Sequence, residues 1–309
     1  MTLSHCINIC TLFKKNLRSC ITNYTNLGSK FFLWYTYPAF SSLIKLPMWD
    51  KILYDCSDNW KEAEKTNSSL QNVIKKMLIK KTEEEIILSA NFCFTSSIQN
   101  FEFISSFKQK QPVLLIENGV DYKLFKKNSS PNSSNIERLK IGFIGGLKPW
   151  KIDFNLLYEI AQIRLNWEIV LVGQEYEQMP DVYHRLLELP NVQHINNVDY
   201  EEVPAYLDTI DIGILPYCNN EYNLGVFPLK FFEYMARDLP IVGCGLPSTR
   251  EYIHAGIYEY VENDSSLFIK GCENIIQHNK INSEYRKKLA KSADWDEKFK
   301  KMLSIVERE

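Results

Sequence analysis

The sequence lacks a strong net charge of either sign, a paired cysteine motif and a long apolar run, and each absence excludes a class of protein. Its 36 basic and 38 acidic residues leave a net charge of −2, so no global field draws the chain to nucleic acid or to anionic lipid. Eight cysteines at 6, 10, 20, 56, 93, 218, 244 and 272 include no Cys-x-x-Cys. Cys6 and Cys10 have no second pair at metal spacing, which argues against zinc and for free thiols in a reducing cytoplasm. No stretch approaches the ~20 apolar residues that span a bilayer. The first twenty residues are broken by His5, Asn8, Lys14, Lys15, Asn16 and Arg18, so no signal peptide is expected. Asn-x-Ser/Thr triplets, such as those at Asn67 and Asn132, are expected by chance in a chain this rich in Asn and Ser.

What is present is a regular second half. The 309 residues, 45% hydrophobic, suffice for two ordinary domains. Strand-length runs recur at 140–146, 167–173, 191–196, 211–217, 239–245 and 256–261, rich in Ile, Val and aromatics. Helical segments are expected between them: one capped by Asp153 and carrying Leu157, Ile160 and Ala161, and others near 181–188, 201–209, 228–237 and 247–255. Alternating strands and helices predict a parallel sheet with ligands at the carboxyl ends of its strands. The first half offers strands at 30–37, 51–58, 92–97 and 112–119, and a helix near 66–81 with Leu70, Val73, Ile74, Met77 and Leu78 at helical spacing. The polar stretch 126–140 reads as a linker. The expected organisation is an N-terminal α/β domain over 1–121, a linker over 122–138, a complete α/β domain over 139–280 and a C-terminal helix over 281–309. In the tail, Trp295, Phe299, Met302, Leu303 and Val306 have amphipathic spacing.

Two loops of the second domain are candidate anion sites. After the strand at 140–145, Gly145 and Gly146 let backbone approach a ligand, and Lys148 and Lys151 add charge. Alone, this reads rather as a tight turn with solvated lysines. In "GVFPLKFFEYMARDLPIVG" (225–243), Gly225 and Pro228 precede a helix whose first turn carries Lys230. A cation there opposes the helix dipole unless an anion binds. Glu233 is placed to accept hydrogen bonds from sugar hydroxyls, or it forms an exposed pair with Lys230. Asp55 and Asp58 in "YDCSDNW" sit at a strand end, as ligand contacts or as a locally bonded side chain and a helix cap.

Read in order, "LYDCSDNW" (53–60), "IENGVDYKLF" (116–125), "IGFIGGLKPWKIDFNLLYEIA" (141–161), "PNVQHINNVDYEEVPAYLDTIDIGILPY" (190–217) and "PLKFFEYMARDLPIVG" (228–243) resemble a GT-B glycosyltransferase of the family-four or family-one-like type that builds bacterial polysaccharides. The similarity runs from about 31 to 305. It implies an α/β fold of two Rossmann-like parallel-sheet domains facing across a cleft, the N-terminal one incomplete. It also implies a UDP- or GDP-linked nucleotide-diphospho-sugar as donor, a glycan or lipid-linked acceptor, and no cofactor or metal. Glu233 then matches the glutamate that holds the ribose hydroxyls. The amides around Val226, Phe227, Pro228 and Leu229 face the diphosphate. Lys151, with Lys148 as its competitor, neutralises the leaving group. Asn118 and Asp121 match the segment that closes the N-terminal domain.

The chain departs from the family pattern at three positions. Gly225 stands where a first glutamate is usual, Gly146 where an arginine is, and Ser57 where relatives carry a histidine. Only about thirty residues precede the strand at 30–37. A trimmed domain would expose a sheet edge to a protein partner. That leaves a non-catalytic remnant that binds nucleotide or partners an active transferase as the alternative to a retaining transferase. A nucleotide-sugar epimerase suits the ordered motifs less well. Lys75, Lys76 and Lys80, on one side of a helix over 70–81, suit solvent and an anionic membrane surface alike. The expected location is the cytoplasm or the inner face of the plasma membrane.

Overall fold

The computed structural model describes residues 30–63, 69–107, 112–127, 138–278 and 282–308. The expectations about the start of the N-terminal domain, and residues 128–137 of the expected linker, lie outside them. The chain forms two compact units, one built from residues up to 56, 60–95 and 101–114, the other from 57–59, 96–100 and 115–309.

The first unit is a four-stranded sheet in the order β1 (Phe32–Tyr35), β2 (Lys51–Cys56), β3 (Phe92–Thr95), β4 (Val113–Leu115). β2 runs parallel to both β1 and β3, pairing Trp34 with Leu53 and Tyr54 with Cys93. Helix α1 (Ser69–Ser89) buries Ile86 and Ile87 against Tyr35, Tyr54, Cys56 and Cys93. Buried Glu83 accepts from the Tyr54 hydroxyl at 2.6 Å, which satisfies a carboxylate that burial would otherwise penalise. α1 extends eight residues beyond the expected end at 81. A further helix, α2 (Ile98–Phe107), occupies a Ser- and Phe-rich stretch with no expected element. Its spacing still buries Ile104 and packs Phe103 and Phe107 on the core.

The second unit is a six-stranded sheet in the order β10 (Tyr258–Tyr260), β9 (Ile241–Cys244), β8 (Ile212–Pro216), β5 (Lys140–Ile144), β6 (Glu168–Val172), β7 (Val192–Ile195). Every pairing is parallel. All of β8 and β9 is buried, as expected for strands covered on both faces. All six expected strands are present. Strand order reverses at β5, which lies between β6 and β8. In an open parallel sheet, the crevice beyond the carboxyl ends at such a reversal is where ligands bind.

The helices are α3 (Phe154–Ile163), α4 (Asp181–Leu187), α5 (Val203–Leu207), α6 (Lys230–Ala236), α7 (Ser265–His278), α8 (Ser283–Ser292) and α9 (Trp295–Arg308). Asp153 caps α3, accepting from Leu156 N at 3.0 Å, and Leu157, Ile160 and Ala161 are buried. Three helical expectations change. The segment after β9 is a short 3₁₀ helix, Pro247–Tyr252. The C-terminal helix expected over 281–309 is two helices, because the chain breaks at Ala293 and Asp294 to bridge back to Val120. Within the expected linker, Tyr122–Phe125 form one helical turn with Phe125 fully buried. Of the amphipathic tail, Met302 and Val306 are buried while Phe299 and Leu303 stay exposed.

Candidate active site

The site builds from the carboxyl ends of β5 and β8, on either side of the reversal. After β5, Gly145 has φ +145°, a conformation that L side chains rarely adopt. A Cβ there would fall 2.1 Å from Cε and 2.3 Å from Nζ of Lys230. Glycine is therefore required at Gly145 to admit that lysine. At Gly146 a Cβ would meet only Lys148 Cε, at 3.7 Å, so glycine is not sterically required.

The turn that follows carries two more lysines. Lys151 N and Ile152 N both donate to Lys148 O. The Lys151 carbonyl is fixed in turn by Cys218 N at 2.8 Å and by Asn223 Nδ2 at 3.0 Å. Asn220 caps the turn Glu221–Leu224 and donates to Trp150 O at 2.7 Å. The asparagines of "CNNEYN", which follow β8, thus stitch the two loops together. Their one signal in the sequence is Asn220, a capping residue ahead of a short helical turn.

Lys230 comes from above. Tyr234 of α6 lies over Gly213 of β8, where a Cβ would fall 2.2 Å from its ring. Its hydroxyl accepts from Ile144 N at 2.9 Å. α6 is thereby clamped over the end of β5, and Lys230 is half-buried with Nζ 5.4 Å from the Phe143 ring centroid. The alternative of an exposed Lys230–Glu233 pair is not what forms, since Glu233 is 8% exposed. Its Oε1 lies 3.4 Å from the Tyr200 hydroxyl.

The loop before α6 is pinned by its carbonyls. Asn100 Nδ2 donates to Gly225 O at 3.0 Å, Ser248 Oγ to Val226 O, and Asn118 Nδ2 to Phe227 O at 2.6 Å. Asn118 of "ENGVD" is therefore a loop clamp, and Asn100 is another, with no motif around it to mark it. The expected row of amides is shorter than supposed: Val226 N donates to Asn223 O, and Pro228 has no N–H. Phe227 and Leu229 have amides with no backbone partner among the described residues.

The charges are mutually felt. Burial lowers Lys151 to about 8, opposed by Asp58 and reinforced by Lys148 and Lys230. Burial likewise lowers Lys230, with Glu233 opposing and Lys148 adding to the effect. Positive charge is thus concentrated beside two buried ammonium groups, the setting in which an anion would be favoured. Burial raises Glu233, against the pull of Lys230 and the Tyr200 bond. Asp58 joins this cluster because residues 57–59 pack within the second unit. It accepts from the Tyr222 hydroxyl at 3.0 Å, and the Lys151 ammonium lies 4.8 Å from the centroid of the Tyr222 ring. Burial raises Asp58, and Lys151 and Tyr222 oppose it. Asp55 is a different case: it belongs to the first unit, is bonded by Trp34 of β1, and is raised by burial to about 6. The structure brings together Gly145, Gly146, Lys148, Lys151, Lys230, Glu233 and Asp58, and leaves Asp55 in the first sheet.

Among the described residues, no group of three or more His, Cys, Asp or Glu is poised to hold a metal ion. Cys56, Cys93, Cys218, Cys244 and Cys272 are free thiols.

Comparison with known proteins gives the arrangement its family. The model of the group 1 glycosyl transferases matches residues 138–278, the six-stranded unit. Over 288 residues the chain is 37% identical to TuaH of Bacillus subtilis (strain 168), spanning 90% of this chain and 72% of that one; TuaH is named, provisionally, as a teichuronic acid biosynthesis glycosyltransferase. Sucrose-phosphate synthase of Thermosynechococcus elongatus has a TM-score of 0.73 at 14% identity, over 97% of this chain and 78% of its own. HepE of Anabaena, solved with UDP and glucose, has a TM-score of 0.61 at 16% identity, over 83% of this chain and 71% of its own. At such identities the structural likeness speaks for the fold, and the TuaH match carries the family. The chain belongs to the group 1 glycosyl transferases, as a GT-B enzyme of the polysaccharide-building type.

Proposed function

We propose that the donor is a nucleotide-diphospho-sugar, UDP- or GDP-linked, and that its diphosphate binds among Lys148, Lys151 and Lys230. The observation that carries this reading is the cluster of three lysines at the carboxyl end of β5, in which Lys148 lowers both Lys151 and Lys230, and Lys230 lowers Lys151. The Phe227 and Leu229 amides add donors. Glu233, one turn beyond Lys230, takes the ribose hydroxyls as a paired acceptor. Asp58, oriented by Tyr222, contacts a sugar hydroxyl.

In the reaction the bond from the anomeric carbon to the diphosphate breaks, and its electron pair stays on the phosphate oxygen. The acceptor hydroxyl oxygen bonds to the anomeric carbon, and its proton passes to the departing phosphate. That route retains configuration. The lysines meet the charge developing on the leaving group with fixed cations, so the step is metal-independent. The acceptor is a glycan or a lipid-linked glycan, and the reaction runs in the cytoplasm, where nucleotide-sugars are made.

The test is turnover and hydrolysis over a panel of UDP- and GDP-sugars with wild type, Lys151→Ala and Glu233→Ala. Loss of a fixed cation at the leaving group is expected to lower kcat by about 10²–10³. Glu233→Ala is expected to weaken donor binding. Variants that match an active wild type would sink this assignment, and anomer-resolved product analysis decides retention.

A further inference from the structure

We propose that Trp150, Tyr222 and Phe143 are positioning residues of the donor site: their ring faces, and not carboxylates, hold the three lysines that meet the diphosphate. The inference rests on the donor reading above and adds to it what keeps three like charges in place before the donor arrives.

Each lysine of the cluster lies over a different ring. Lys148 Nζ is 5.7 Å from the Trp150 centroid, Lys151 Nζ 4.8 Å from that of Tyr222, and Lys230 Nζ 5.4 Å from that of Phe143. These distances fall within the ~6 Å over which a ring quadrupole attracts an ammonium. Elsewhere lysines pair with carboxylates, as Lys76 does with Glu62 and Lys140 with Glu168. Among the described residues, Lys148, Lys151 and Lys230 form no such ion pair. Asp58 and Glu233 favour the charged forms of Lys151 and Lys230 from beyond ion-pair distance.

The rings are themselves fixed. Trp150 meets Tyr176 edge-on, with centroids 4.8 Å apart at 90°, and its carbonyl accepts from Asn220. Tyr222 is 5% exposed and its hydroxyl donates to Asp58. Phe143, in β5, is 1% exposed and packs against Tyr217 at 6.3 Å. A lysine stem is long and flexible. A ring face restricts it without neutralising its charge or taking all of its N–H donors. A carboxylate would restrict it too, but the incoming diphosphate would have to displace that anion. Rings therefore leave a preorganised group of cations for an anion to enter.

The test is titration calorimetry of the full chain with UDP and with inorganic pyrophosphate at pH 7. Tyr222→Phe keeps the ring and loses the hydroxyl, so it should bind both within about twofold of wild type. Tyr222→Leu should bind about tenfold more weakly, between the exposed and desolvated limits of a cation–ring contact. Trp150→Leu should lose about twofold to fivefold, since Lys148 is exposed, and Trp150→Phe should recover most of it. Fluorinated phenylalanines placed at position 222 give a readout that packing does not move. Each added fluorine draws negative charge from the ring face with little change in size, so log Kd should rise with their number. The control Tyr158→Leu, which removes a ring under Arg185 outside the cluster, should leave both affinities unchanged. Affinities that survive Tyr222→Leu and Trp150→Leu, a loss as large in Tyr222→Phe as in Tyr222→Leu, or a fluorine series without a trend would each overturn the proposal and leave the donor reading standing. Pyrophosphate that binds and follows the rings, with no binding of UDP, would keep the proposal and sink the donor reading. A wild type that binds neither sinks both.

Discussion

At the scale of single residues, Lys151 sets the pH behaviour of the donor site. Its ammonium, lowered by burial to about 8 from 10.5, is fully charged only below that value. An anion binds the protonated form, so donor affinity is expected to be flat below pH 7 and to fall as pH rises through about 8. The same shift costs the free protein stability below pH 8, which returns as pH rises toward 10.5. Titration calorimetry with UDP-glucose against pH would check this, and Lys151→Met should flatten the fall. Affinity that keeps its fall near pH 8 in Lys151→Met would assign the titration to another group. At Gly145 the expectation is steric. Gly145→Ala places a Cβ 2.1 Å from Lys230 Cε at a φ of +145°, so the lysine must leave. Donor affinity should drop about tenfold or more, in keeping with a lost charge-assisted contact of about 1.5–3 kcal/mol. Gly146→Ala, with its nearest neighbour at 3.7 Å, should bind as wild type, and a crystal structure of Gly145→Ala would show where Lys230 goes.

At the scale of elements, α8 is tied to the turn after α6 by ion pairing at the buried side chain of Asp238, which Arg286 and Lys287 share. Arg286 of α8 is 1% exposed, and its Nε and Nη2 donate to Asp238 Oδ1 at 2.9 and 2.6 Å. A third donation, from Nη1, goes to the Gly256 carbonyl. Asp238 itself holds φ +65°, which Asp tolerates better than most residues. It closes α6 and turns the chain into β9. Removing one partner of a buried pair costs about 3–5 kcal/mol when the other charge is left alone; without Arg286, Asp238 keeps Lys287 at 3.7 Å and the Ser283 hydroxyl at 2.6 Å, which offset part of that. Arg286→Met is therefore expected to lower the urea midpoint markedly. Asp238→Asn keeps an acceptor but takes the carboxylate from buried Arg286, so it is expected to lower the midpoint as well. Equal stability of Arg286→Met and wild type would mean that the pair contributes nothing net. This contact was not legible beforehand, because Asp238 and Arg286 lie 48 residues apart. The strands were legible because burial on both faces leaves continuous apolar runs, as in β8 and β9. α1 was legible as a helix, but the exposure of Val73, Ile74, Met77 and Leu78 was not. Periodicity reports that one side of a helix is apolar and cannot say which side meets the core.

At the scale of the molecule, the two units differ in what ligands do to them. Every residue of the proposed donor site lies in the second unit. A donor at about 100 times its Kd stabilises the state that binds it by about 2.7 kcal/mol. Scanning calorimetry with UDP is expected to raise the transition of the second unit. If the first unit melts separately, its transition should stay in place; a shift of both by the same amount would show that the units unfold as one.

The sequence alone determined the class of fold, the six strands of the second unit and the order of the motifs, because these rest on local propensity and on runs read along the chain. It also determined which lysines and which glutamate to watch. The tertiary structure decided how they meet. Lys230 reaches the end of β5 only because Tyr234 clamps α6 and Gly145 lacks a side chain. The Lys151 carbonyl is held by Asn223, 72 residues downstream. Asp58 enters the cluster while Asp55, three residues before it, stays in the first sheet. Burial and charge coupling depend on contacts distant in sequence, and spacing along a chain carries no record of them.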